Sequence, residues 1–216
     1  MTNLIPHLIS QGIPQQVILY VLIVPLLASL ISFLRQFVGM KSLGVYHPLL
    51  LTFAFVGLGI GKGLTVFLVV VVLANIISYL VKKFSLLYLP RTTIVLTTTT
   101  VSVLALVLLV LLSGYQINLQ EYFPLVIILA LSDRLVSSQI KRNLKRSLFL
   151  IAGTLVASVI GYYLVNFKNL QYLILAYPFI YLFFILVINI FLGRYRGLRL
   201  NELWRFRRLL KSSSKK

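Results

Sequence analysis

The chain has 216 residues, 60% of them hydrophobic, and a mean hydropathy of +1.01, far above the ~45–50% apolar usage of a soluble domain, so its solvent is the bilayer. Cysteine is absent, which excludes disulfides, thiolate nucleophiles and thiolate metal sites, and the three acids and two histidines are spaced neither as metal ligands nor as a triad. A net charge of +18 would point a soluble protein towards nucleic acid, but here Lys and Arg lie between apolar runs, where membrane topology accounts for them, so no nucleic-acid partner, cofactor or metal is expected.

Residues 1–15 contain no Lys or Arg. They lack the positive start of a cleavable leader, so the first apolar run is expected to remain as an anchor. Apolar runs follow at about 16–34, 45–60, 63–81, 93–113, 122–138, 147–165 and 172–192. The expected fold is therefore an all-α polytopic integral membrane protein of about seven transmembrane helices. Counted through the eight flanks and loops, with Arg134 at the end of the fifth run taken with the loop that follows it, Lys and Arg number 0, 2, 1, 3, 0, 5, 1 and 9, so alternate sides carry 19 and 2. The positive-inside rule then places the N-terminus outside and the C-terminus in the cytoplasm, and an odd number of crossings agrees. Residues 1–192 form a transmembrane domain in this reading, and 193–216 a basic cytoplasmic juxtamembrane segment.

Two segments begin alike. Tyr46-His47-Pro48 and Tyr122-Phe123-Pro124 each lead into an apolar run, and the second closes on Asp133-Arg134 about ten residues later. That is short of the ~20 residues a spanning helix needs, so the fifth segment reads as a crossing that is broken or partly re-entrant. The interval from Pro14 to Pro48 equals that from Pro90 to Pro124, so a single shift along the chain overlays both pairs. Such a shift spans three segments and reverses direction, giving an inverted repeat of segments one to three on four to six, with the seventh added. Chance is the other reading, since seven prolines offer many spacings. Folds with inverted repeats place substrate near the midplane, where interrupted helices meet. Gly57-Leu58-Gly59-Ile60-Gly61-Lys62-Gly63 superficially resembles a phosphate loop, but it stands at a membrane boundary without a preceding strand; close helix packing or a tight turn is the expected role. Thr92, Thr93 and Thr97 to Thr100 are expected to bond to their own helix or to a neighbour, in helix packing rather than a polar pathway.

Asp133 and Arg134 would each cost about 2.5–3.5 kcal/mol at the bilayer centre. The preferred reading puts them at the inner interface, and the alternative turns Asp133 towards His47 or Arg91. His47 is either an interfacial hydrogen-bonded group or a titrating one. Arg91, after Pro90, suits lipid phosphate or an anionic substrate from the cytoplasmic side. The candidate substrate-binding residues are thus Tyr46, His47, Pro48, Arg91, Phe123, Pro124, Asp133 and Arg134, with no catalytic residue. Beyond the last segment, Leu203, Phe206 and Leu210 share a helical face and Arg205 and Arg208 turn away from it. This fits a helix lying on the anionic inner leaflet, each basic residue contributing about 1 kcal/mol. Glu202 is expected to pair with Arg199 or Arg205. Arg194, Arg199, Glu202, Arg205, Arg207 and Arg208 are the candidates for docking lipid or, alternatively, a soluble partner.

Gly193, Arg194, Tyr195, Gly197, Arg199, Leu200, Glu202, Leu203, Arg205 and Phe206 follow a Gly-Arg-Tyr-x-Gly-x-Arg-Leu-x-Glu-Leu-x-Arg-Phe pattern. It resembles the bacterial seven-helix membrane domain usually fused to an inactive transglutaminase-like domain. Leu43-Gly44-Val45-Tyr46 with Pro48-Leu49-Leu50, Pro90-Arg91 and Phe123-Pro124-Leu125 extend the likeness over nearly the whole chain. Asp133 stands where the family usually has Glu, and with only a short stretch before the first run the chain reads as the free-standing membrane part. The small membrane subunit of poly-gamma-glutamate synthesis is a more distant likeness. The resemblance implies the bacterial inner membrane, and as partners an ATP-grasp-type ligase, a transglutaminase-like protein, or both. The function expected is a non-catalytic subunit of a complex that makes or exports a polyglutamate-like polymer or peptide; the alternative is a stand-alone secondary transporter for a small organic anion.

Overall fold

The computed structural model describes residues 11–12, 14–81, 87–112, 123–131 and 144–194, and every regular element among them is helical. In hydrocarbon each backbone N–H and C=O must be satisfied within its own segment, which apolar runs of this length achieve only as helix. Helix α1 (Gln15–Phe33) runs into a π-helical turn (Leu34–Val38), followed by α2 (Tyr46–Leu58), α3 (Ile60–Val81) and α4 (Tyr88–Leu112). Next come α5 (123–131), α6 (Leu144–Val165), α7 (Lys168–Ala176) and α8 (Pro178–Arg194). Each of the seven expected segments carries helix. Among the described residues, Gln15–Val38, Ile60–Val81 and Leu148–Val165 have the length and apolarity of membrane spans, and the pair α7–α8 adds a fourth if counted as one broken span.

The last segment departs from expectation. Instead of one helix over 172–192, α7 and α8 are bent by 106° at Tyr177. Pro178 supplies the reason: its ring excludes the preceding residue from helical geometry, and Tyr177 sits at φ −132°, ψ 62°.

The chain forms two compact units, Met1–Leu49 with Tyr163–Lys216, and Leu50–Tyr162. Neither coincides with a half of the expected repeat. In the first unit α1 buries Leu19, Ile23, Leu27 and Ile31, a stripe at intervals of four that packs on α7 and α8. Pro25 lies inside α1 and removes one backbone donor. The Ser29 hydroxyl donates to the Pro25 carbonyl at 2.9 Å. The Tyr181 hydroxyl donates to the Leu22 carbonyl at 3.0 Å, and Asn189 Nδ2 to Ser29 Oγ. These contacts keep the same order along both helices, so α1 and α8 are parallel.

In the second unit α3 and α4 are antiparallel neighbours, with Ala74, Ile77 and Val81 of α3 packed in one cluster with Val95 of α4. A single residue, Gly59 at φ +78°, joins α2 to α3, a left-handed conformation that glycine adopts without strain. Past this elbow Phe55 wedges against Gly63, where a Cβ would stand 2.6 Å from the Phe55 ring and 3.4 Å from its Cα. The Phe55 ring meets Phe67 edge-on, with centroids 6.5 Å apart. The Thr52 hydroxyl donates to the Ser158 carbonyl at 3.3 Å, tying α2 to α6.

Candidate functional site

The two proline-led helices hold most of the candidate residues that the structure describes. Pro48 is the third residue of α2 and Pro124 the second of α5. At a first helical turn the missing proline N–H leaves no intrahelical bond unmade. Both prolines are buried, whereas Tyr46 and Phe123 before them are 77% and 74% exposed. The buried face of α5 continues through Ile128 and Leu131, at one and two turns from Pro124.

These helices meet head to tail. Any side chain at Gly57, in the last turn of α2, would overlap the Pro124 ring. The structure thus brings the start of α5 against the end of the helix that Pro48 opens, and the glycine stretch supplies both the turn at Gly59 and the close approaches at Gly57 and Gly63. His47 is half-buried beside Gly44, whose φ is +93° and where a Cβ would stand 3.8 Å from His47 Nδ1. Ser42 Oγ donates to the Gly44 carbonyl at 3.0 Å and fixes that turn.

Arg91 sits in the first turn of α4, half-buried. Its Nη2 reaches the Ser78 carbonyl at 3.5 Å, one of the last four carbonyls of α3, which have no partner within their own helix. Its Nε is buried with no hydrogen-bond partner among the described residues. Arg194 ends α8 and is exposed. Asp133, Arg134, Arg199, Glu202, Arg205, Arg207 and Arg208 lie outside the described residues, as does the expected amphipathic helix near the C-terminus.

The threonine run behaves in one of the two expected ways. Thr93, Thr97, Thr98, Thr99 and Thr100 each donate to the carbonyl four residues earlier, at 2.7–3.2 Å. Only Thr99 is also buried; Thr93, Thr97, Thr98 and Thr100 are exposed. Sequence reasoning passed over the polar ladder of Leu22, Pro25, Ser29, Tyr181 and Asn189, although a proline in one apolar run and an asparagine in another were its visible signals.

A short helix reversing at a glycine elbow, with another proline-led helix on its end, is the framework that the proline- and glycine-marked stretches of the sequence build. Residues 7–210 match the family described as seven transmembrane helices usually fused to an inactive transglutaminase. The chain belongs to that family. No curated protein and no solved structure gives a match. As a member of a family of seven transmembrane helices it is an integral membrane protein.

Proposed function

We propose that this chain is a non-catalytic subunit of the bacterial inner membrane that scaffolds, and conducts outward, an anionic amino-acid polymer or peptide made by a cytoplasmic ATP-grasp-type ligase. The observation that carries this reading is the length of α2. Thirteen residues span roughly 20 Å of a hydrocarbon layer about 30 Å thick. With its end tied through Gly59 alone to α3, whose 22 residues suffice to cross, α2 has its start recessed about 10 Å below the opposite surface. The charge alternation makes that surface the cytoplasmic one. A recessed helix start carries a partial positive charge and is the arrangement by which interrupted helices hold anionic groups. Tyr46 and His47 lie at its rim, and Arg91 opens α4 on the same predicted side.

The direction of packing supports the topology independently of charge. Parallel α1 and α8 require an odd number of crossings from first to last, and Gly57 against Pro124 joins two positions that the alternation puts at one outer level. The family's usual fusion to an inactive transglutaminase supports a partner of that kind. Replacing Arg91 or Arg199 with Ala is expected to abolish product outside the cell while the protein stays at its normal membrane level. Undiminished product outside would contradict the proposal. Uptake of a small anion by liposomes holding this protein alone, driven by a pH gradient, would replace it with the transporter reading.

A further inference from the structure

We infer that α7 is an interfacial helix that lies in the lipid headgroup region of the outer leaflet, and that the last crossing is α8 alone. This rests on the membrane-spanning reading of the chain and not on any substrate.

Helix α8 has 17 residues, a length of about 25 Å, close to the hydrocarbon thickness. With α8 upright, a bend of 106° leaves α7 nearly parallel to the membrane plane. A tilt of ~20° in α8 raises the inclination of α7 to at most about 36°. Nine residues at such an angle do not add to a crossing. They occupy the level at which α6 ends and α8 begins.

The side chains sort accordingly. At about 100° per residue, Lys168 and Tyr172 share one side of α7, Leu173 points about 100° further round and Ile174 as far again. Ile174 is fully buried against the protein, while Tyr172 and Leu173 are 75% and 56% exposed. One flank thus presents an amine and a phenol to headgroups, the next a leucine to acyl chains, and the third packs on the protein. Phe167, Tyr177 and Phe179, all exposed, add aromatic rings at the same level, the composition of a membrane-interface belt. Both ends of α7 are braced. Gln171 Nε2 donates to the Val165 carbonyl at 2.8 Å, capping α6, and the Tyr181 N–H bonds the Tyr177 carbonyl at 3.0 Å across the bend.

The chain contains no cysteine, so nitroxide labels can be placed singly by Lys168→Cys, Tyr172→Cys and Leu173→Cys in the full-length protein in phosphatidylcholine–phosphatidylglycerol vesicles. The inference expects the label at 173 to relax faster with dissolved oxygen, the label at 168 faster with a water-soluble nickel chelate, and the label at 172 in between. Equal nickel access at 168 and 173 would put α7 in water and overturn it; equal oxygen preference would make α7 part of a crossing and overturn it as well. If a cysteine variant fails to fold, Tyr172→Trp in a Trp204→Phe background gives the same answer. Brominated lipids should quench it most when the bromines lie near the glycerol, and strongest quenching by bromines deep in the chains would contradict the placement. Loss of the substrate proposal would leave these outcomes unchanged.

Discussion

Gly57, Gly59, Gly61 and Gly63 differ in what a side chain would meet, and their alanine variants should separate accordingly. At Gly63 a Cβ meets the Phe55 ring and backbone; neither gives way easily, so Gly63→Ala is expected to destabilise by about 1–3 kcal/mol. Gly59→Ala is expected to lose about 1–2 kcal/mol to its left-handed backbone, although nothing crowds it. Gly61 has neither restriction, and Gly61→Ala should stay within about 0.5 kcal/mol. Reversible unfolding in mixed micelles measures all three; an equal loss at 61 and 63 would contradict the packing described. The sequence reading of this stretch as turn and close packing was sound because glycine spacing is informative without tertiary context. Which glycine did which job depends on Phe55 and Pro124, and no local pattern reveals those partners.

Between elements, the polar ladder joining α1 and α8 offers a coupling that can be measured. Asn189 donates to Ser29 Oγ and also to the Ile185 carbonyl. In a membrane interior such interhelical bonds contribute about 0.6 kcal/mol on average and up to about 1.7. A double-mutant cycle of Ser29→Ala and Asn189→Ala should return a coupling in that range, whereas additive losses would mean that the helices do not meet there. Helix positions were largely legible from the apolar runs, since hydropathy reports burial in lipid or protein alike. The bend between α7 and α8 was not, because Tyr172 to Ala176 are as apolar as the crossing that follows. Pro178 was the one local signal, and its effect on Tyr177 is to end one helix before the next begins. The short length of α2 was foreshadowed by Pro48 and by the glycines after Val56.

For the molecule as a whole, seven apolar segments and an asymmetry of 19 to 2 in basic residues pointed to the fold class, and the family match over residues 7–210 agrees with it. Among the candidate residues, the placement of the two proline-led helices was legible in part. Pro48 and Pro124 were singled out as mates, and their helices do meet, but through Gly57 and not proline to proline. Arg91 was expected to meet lipid phosphate or an anionic substrate; what the structure adds is its bond to a terminal carbonyl of α3, a contact set by the α3–α4 pairing rather than by its neighbours in sequence. The proposed function makes this membrane protein part of a peptide-bond-forming assembly. Purification of the tagged protein from native membranes in mild detergent, with mass spectrometry of what accompanies it, tests that most directly. Stoichiometric recovery of an ATP-dependent ligase, with or without a transglutaminase-like protein, is the expected result. Recovery of the chain alone, or only as a homo-oligomer, would contradict it.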